Sequence, residues 1–155
     1  MKLNTYSRYA QILVNSVKRQ IFNVDKSVKI KHITFEITNL CNSKCDMCHI
    51  WANKPNPNIL TLEEIKNIFS QPELSDLRDL ILTGGEMYMR DDIDQIIEHI
   101  HSVNNKTNIF VSTNGILHEK ILKSANNLFQ KKIPIKYGIS LDGVAERHDD
   151  RRRIS

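Results

Sequence analysis

Four times along this chain a short apolar or alternating run ends in a polar or glycine-bearing loop, with helical patterns between the runs. Lys31–Thr38 alternates as a strand and leads into Cys41. Leu80, Ile81 and Leu82 mark a buried strand over 79–83 that stops at Gly84-Gly85-Glu86. Asn108–Thr113 ends in Asn114-Gly115, and Ile135–Leu141 ends in Asp142-Gly143. Thr61, with Glu64 three residues on, reads as a capping box before the apolar positions Ile65, Ile68 and Phe69. Asp91–Ser102 carries acids in its first turn and Ile93, Ile96, Ile97 and Ile100 on one face, and Leu117–Gln130 is the third helical stretch. Strand, loop and helix in this alternation predict an α/β fold with a parallel sheet and helical crossovers. In such folds the carboxyl ends of the strands share one face, where ligands bind. The four loops are therefore expected to converge on one site.

The first of these loops is chemically the richest. Cys41-Asn42-Ser43-Lys44-Cys45-Asp46-Met47-Cys48 holds all three cysteines of the chain, with His49 and Trp51 just beyond. Three is an odd number for disulfides and one short of a four-thiolate cage. An iron–sulfur cluster held by three thiolates keeps one iron open to another ligand. Clustered thiols without an even framework point to a reducing compartment, with the cytoplasm as the expected location.

Composition sets outer bounds. The chain has 155 residues, 40% hydrophobic and 26% charged, enough for one globular domain with a real core. The net charge of +4 comes from basic residues that are spread out except near the two ends, so no nucleic-acid partner is expected. No apolar run is long enough to span a bilayer, and no secretory core follows Met1. Lys2–Asn23 reads as an amphipathic helix on Tyr6, Tyr9, Leu13, Val17 and Ile21, expected to pack on the domain's own core. This helix and its connector form the segment 1–29, ahead of a core domain over 30–155.

Cys-x3-Cys-x2-Cys after the first strand, Gly-Gly-Glu after the second and Ser-x-Asp-Gly after the fourth resemble the radical S-adenosylmethionine (SAM) superfamily. The resemblance runs from about Ile33 to Arg152 with the motifs in family order. It implies a partial TIM-like (β/α) barrel, a [4Fe–4S] cluster and SAM. Cys41, Cys45 and Cys48 would hold three irons, and the amino and carboxylate groups of SAM would chelate the fourth. One electron from the cluster would then cleave SAM to a 5′-deoxyadenosyl radical that abstracts hydrogen from a substrate not identified by the sequence.

The same resemblance assigns the other loops. Gly84, Gly85 and Glu86 would receive the methionine ammonium, with the Glu86 carboxylate beside it. Ser140 and Asp142 would bind the ribose hydroxyls, and Asn114 would make a further polar contact. Met47 stands where the backbone flanks the adenine, in place of a frequent aromatic, and Met87 replaces a frequent proline. Arg147-His148-Asp149-Asp150-Arg151-Arg152 resembles a His-Asp-x-x-Arg segment of some subfamilies, with Arg152 a partner for the SAM carboxylate. An electron donor such as flavodoxin or ferredoxin is implied as partner.

Other readings of single features stay open at this level. The cysteine loop with a histidine could make a structural zinc site, although Cys48 and His49 are awkwardly adjacent for tetrahedral ligation. Glu86 alone could cap a helix, Trp51 could simply pack, and His99 and His101 are expected at the surface. The chain supplies about four of the family's six strand–helix units, which reads as the N-terminal part of a longer protein or half of a split enzyme, its barrel completed by a partner chain. Two functions follow: a SAM-cleaving enzyme, or a non-catalytic domain carrying zinc or a remnant cluster. No Walker loop, Gly-x-Ser-x-Gly or His-Glu-x-x-His suggests other chemistry.

Overall fold

The computed structural model describes residues 29–154. The reading placed on Lys2–Asn23 lies outside the described residues. Four strands, β1 (His32–Glu36), β2 (Asp79–Thr83), β3 (Asn108–Thr113) and β4 (Ile135–Ile139), form one parallel sheet in the order β1-β2-β3-β4. Helices α1 (Leu62–Phe69), α2 (Ile93–Val103) and α3 (His118–Gln130) are the crossovers, and a short α4 (Glu146–Arg152) follows β4.

Register explains which face is covered. Phe35, Leu82, Val111 and Tyr137 stand in line across the sheet, as do Ile33, Leu80, Ile109 and Ile135. These rows pack against Ile65 and Phe69 of α1, Ile96, Ile97 and Ile100 of α2 and Leu128 of α3 in one core. Phe35 and Phe69 meet edge-to-face, ring centroids 5.4 Å apart. The alternate row, Thr34, Ile81, Phe110 and Lys136, faces the other way and is exposed. A parallel sheet with helices on one face is the wall of an opened barrel.

Local chemistry sets the helix ends. Thr61 Oγ1 accepts from the Glu64 amide at 3.3 Å while the Thr61 amide donates to Glu64 Oε2 at 2.8 Å, the predicted capping box. The Thr61 amide first, and the Thr61 hydroxyl donating to Glu64 Oε2 at 2.8 Å second, hold the Glu64 carboxyl below its usual range. Helix α2 starts at Ile93, two residues later than expected. Asp92 does not cap it, because its carboxylate takes two bonds from the Arg90 guanidinium, at 2.8 and 2.6 Å. Arg90 also donates to the carbonyls of Ile37 and Leu60, each at 3.0 Å, and so pins the end of β1 beside the start of α1.

Two histidines depart from the expectation of plain surface residues. His99 Nε2 lies 3.1 Å from both the Lys66 carbonyl and Ser70 Oγ, docking α2 on the end of α1. His101 is half-buried, and its Nδ1 has no partner among the described residues.

Candidate functional site

The site is built where the strands end. Pairing between β1 and β2 continues past both: the Ile37 amide donates to the Thr83 carbonyl at 3.0 Å, Gly85 to Thr38 at 2.8 Å and Glu86 to Leu40 at 2.7 Å. This close run requires the two glycines. A Cβ on Gly84, which sits at φ +153°, would lie 2.3 Å from the Thr38 oxygen, and one on Gly85 would lie 2.0 Å from the Leu40 oxygen. The glycines thus fit the chain against itself. Their own carbonyls receive no donor among the described residues.

Glu86, the carboxylate expected beside a bound ammonium, is engaged within the protein. It is fully buried, and its carboxylate accepts from the Thr113 hydroxyl at 2.8 Å, the Asn114 amide at 2.8 Å and the Tyr88 amide at 3.3 Å. The last bond caps the single turn Met87–Met89. A buried carboxylate persists when such donors satisfy it. Here it fastens the end of β2 to the end of β3.

Asn114 is positioned by that bolt. Its Nδ2 donates to Asn42 Oδ1 at 2.8 Å and lies 4.0 Å from Cys41 Sγ, linking the third loop to the first. Within the cysteine loop, Cys41 is half-buried, Cys45 buried and Cys48 exposed, and none is in a disulfide. Burial pushes the Cys41 thiol up from its ordinary value, with the nearby Cys45, Glu86 and Cys48 charges adding and the Ser43 backbone opposing. Trp51 Nε1 donates to the Cys45 carbonyl at 3.2 Å, so the indole braces the loop, while His49 is exposed.

The fourth loop returns to the first. Arg152 Nε meets Asp142 Oδ2 at 2.6 Å in a largely shielded pair, and the Asp142 amide donates to His148 Nδ1 at 3.1 Å. At the end of α4, the Arg151 carbonyl accepts from the Asp46 amide at 3.0 Å and Arg153 Nε pairs with Asp46 Oδ1 at 2.6 Å. Asp142 and Arg152, assigned by the resemblance to the ribose and to the SAM carboxylate, engage each other across the fourth loop and α4.

A cavity of about 210 Å³ lies among these loops. Of the residues singled out by sequence, Cys41, Cys45, Met47, Cys48, Gly84, Gly85, Asn114, Ser140 and Arg152 line it. Glu86 and Asp142 stand behind the wall, the first holding Asn114 and the second holding Arg152. Thr83, Ser112, Thr113 and Ile50 also line it and carried no separate signal. A larger groove of about 600 Å³ between α2 and α3 contains none of the cysteines.

Thiolates on one zinc ion, each at 2.3 Å, come within roughly 4 Å of one another. Among the described residues no three Cys, His, Asp or Glu side chains are grouped to hold a single ion. Three free cysteines border one cavity, and thiolates are the ligands that hold iron–sulfur clusters; the zinc reading is not favoured. No helix among the described residues is long and apolar enough to cross a membrane.

Comparison with known proteins bears on the same segment. GTP 3′,8-cyclase of Clostridium botulinum (strain Hall) is 29% identical over 121 residues, covering 76% of this chain and 37% of the cyclase. The subtilosin biosynthesis protein AlbA of Bacillus subtilis (strain 168) is 30% identical over 122 residues, covering 78% of this chain and 26% of AlbA. The chain therefore spans well under half the length of these relatives. Among solved structures, Streptococcus suis SuiB bound to S-adenosylmethionine matches with a TM-score of 0.65 at 18% identity, over 97% of this chain and 34% of SuiB. BtrN in complex with AdoMet and 2-DOIA matches with a TM-score of 0.55 at 17% identity, over 79% of this chain and 50% of BtrN. At these identities the structural likeness concerns the fold: the four-stranded wall corresponds to part of a TIM-like barrel. The profile of the Radical SAM superfamily matches residues 35–155, which include the cysteine loop and every strand end that meets it, and the chain belongs to that superfamily.

Proposed function

We propose that the cavity at the strand ends binds a [4Fe–4S] cluster and S-adenosylmethionine, and that the protein uses them to begin radical chemistry on a substrate. The observation that carries this reading is the shared cavity, which gathers Cys41, Cys45 and Cys48 with Gly84, Gly85, Ser140 and Arg152. When bound, the two cofactors supply one-electron cleavage of the sulfonium carbon–sulfur bond to a 5′-deoxyadenosyl radical.

The residues of this chain hold and orient them. Cys41, Cys45 and Cys48 ligate as thiolates and leave one position open. The free carbonyls of Gly84 and Gly85 accept from the methionine ammonium, while Glu86 keeps the loop in place from behind. Ser140 reaches the ribose, Met47 lies against the adenine and Asn114 contributes a polar edge. Arg152, aimed by Asp142, meets the carboxylate. A flavodoxin or ferredoxin serves as electron donor. Because this chain spans 37% of the cyclase and 26% of AlbA, no substrate is assigned.

Anaerobic reconstitution, then reduction in the presence of SAM, tests the proposal. The expected products are 5′-deoxyadenosine and methionine, both lost in Cys41→Ala, Cys45→Ala and Cys48→Ala. Equal product from wild type and the three variants would overturn it.

A further inference from the structure

Ser43 sits inside the cysteine motif, yet no ligand role accounts for it. The residue is 2% exposed, its Oγ lies 3.0 Å from Cys45 Sγ, and it donates to the Arg152 carbonyl at 2.8 Å. A hydroxyl has one proton and two acceptor lone pairs. With its proton on the Arg152 carbonyl, Ser43 can keep the sulfur contact only by accepting from the Cys45 thiol. A cysteine sulfur bound to iron carries no proton. The buried contact then survives only if Ser43 turns its own proton toward the sulfur, and the Arg152 carbonyl loses its donor.

We propose that Ser43 is a positioning residue for Cys45: it tethers the Arg151–Arg153 turn to the metal-free loop and becomes a hydrogen-bond donor to the Cys45 sulfur once that sulfur ligates. This rests on the cluster reading above. The tether matters because the same turn carries Arg152, whose side chain lines the cavity. Two further bonds tie the turn to the cysteine loop, both through the exposed Asp46, so among the ties to that loop Ser43 supplies the buried one. Cluster loading is thereby coupled to the freedom of the residue assigned to the SAM carboxylate. A donor on a ligating sulfur also makes a cluster easier to reduce.

Two measurements on the chain with Ser43→Ala and Ser43→Thr test this. In the reconstituted protein without SAM, an EPR-monitored redox titration is expected to show a shift to lower midpoint potential in Ser43→Ala, with Ser43→Thr at the wild-type value. An unshifted potential in Ser43→Ala would overturn the proposal. In the metal-free protein, exchange of the Asp46 amide, which donates to the Arg151 carbonyl, is expected to quicken several-fold in Ser43→Ala and not in Ser43→Thr. Wild-type exchange in Ser43→Ala would overturn the tether, as would loss of protection at Leu82 and Val111, which marks general unfolding in place of a local role. If the wild type takes up no cluster, the cluster reading fails, while the exchange experiment still judges the tether.

Discussion

The Glu86 carboxylate and the Thr113 hydroxyl, 2.8 Å apart in the interior, join the ends of two neighbouring strands. Removing the carboxylate strands three donors: the Thr113 hydroxyl and the amides of Asn114 and Tyr88. Glu86→Ala is expected to lose about 3–5 kcal/mol of unfolding free energy, the range for an uncompensated buried polar cluster. Glu86→Gln keeps the shape but turns an amide donor toward one of these donors, and is expected to lose about 1–3 kcal/mol. Urea denaturation of the metal-free chain measures both. Equal stability of all three proteins would show that the bolt is idle.

Gly84 and Gly85 answer to their neighbours across the β1–β2 pairing. A methyl group at either position meets backbone carbonyl oxygen, which cannot swing aside as a side chain does. Gly85→Ala is expected to cost at least about 3 kcal/mol, at the upper end of overpacking effects. The loss should appear in the metal-free protein by thermal or urea unfolding. A destabilisation seen only with SAM bound would instead assign the glycine to ligand approach.

On the open face of the sheet, the Phe110 ring lies across Gly138, where a Cβ would stand 2.3 Å from the ring. Gly138→Ala must displace this ring, and Phe110→Ala removes the obstacle. The two substitutions are expected to be non-additive, the double variant being more stable than the sum of single losses predicts by about 1 kcal/mol or more. A double-mutant cycle by urea denaturation reads this directly, and strict additivity would refute the contact.

Stability should depend on pH through Asp92. Its hydrogen bond with Arg90, and their charge attraction, hold the carboxyl below the usual range against the opposing effect of burial. A depressed carboxylate contributes stability that is present above the unfolded value, about 3.9, and is lost as pH falls toward the folded one. The urea midpoint of the wild type is expected to fall in that acid window, and Asp92→Asn to flatten the fall. Identical pH profiles would remove Asp92 from the account.

The sheet was legible because its signals are local. Alternation in Lys31–Thr38 and the apolar run Leu80–Leu82 report burial on the helix side, and Thr61 with Glu64 forms a cap within one turn. Strand ends were read slightly long at Thr38 and Leu141, since pairing bonds continue there without regular strand geometry. That the strand-end loops converge followed from parallel topology, and the resemblance to the superfamily marked most of the residues that line the cavity. What sequence could not show is which partner consumes a polar group. Glu86 depends on Thr113 arriving from another strand, Asp142 on Arg152 folding back through α4, and His99 on the end of α1. Ser43 looked like any motif spacer until Arg152 came within 2.8 Å of it.

The most direct test of the central claim is the EPR spectrum of the anaerobically reconstituted, reduced chain, recorded before and after adding SAM. In the proposed site, thiolates from Cys41, Cys45 and Cys48 would leave one iron for SAM to bind. The expected result is a [4Fe–4S]⁺ signal whose g-values change on addition of SAM. A chain that takes up zinc but no cluster, or a cluster signal that SAM leaves unchanged, would contradict it.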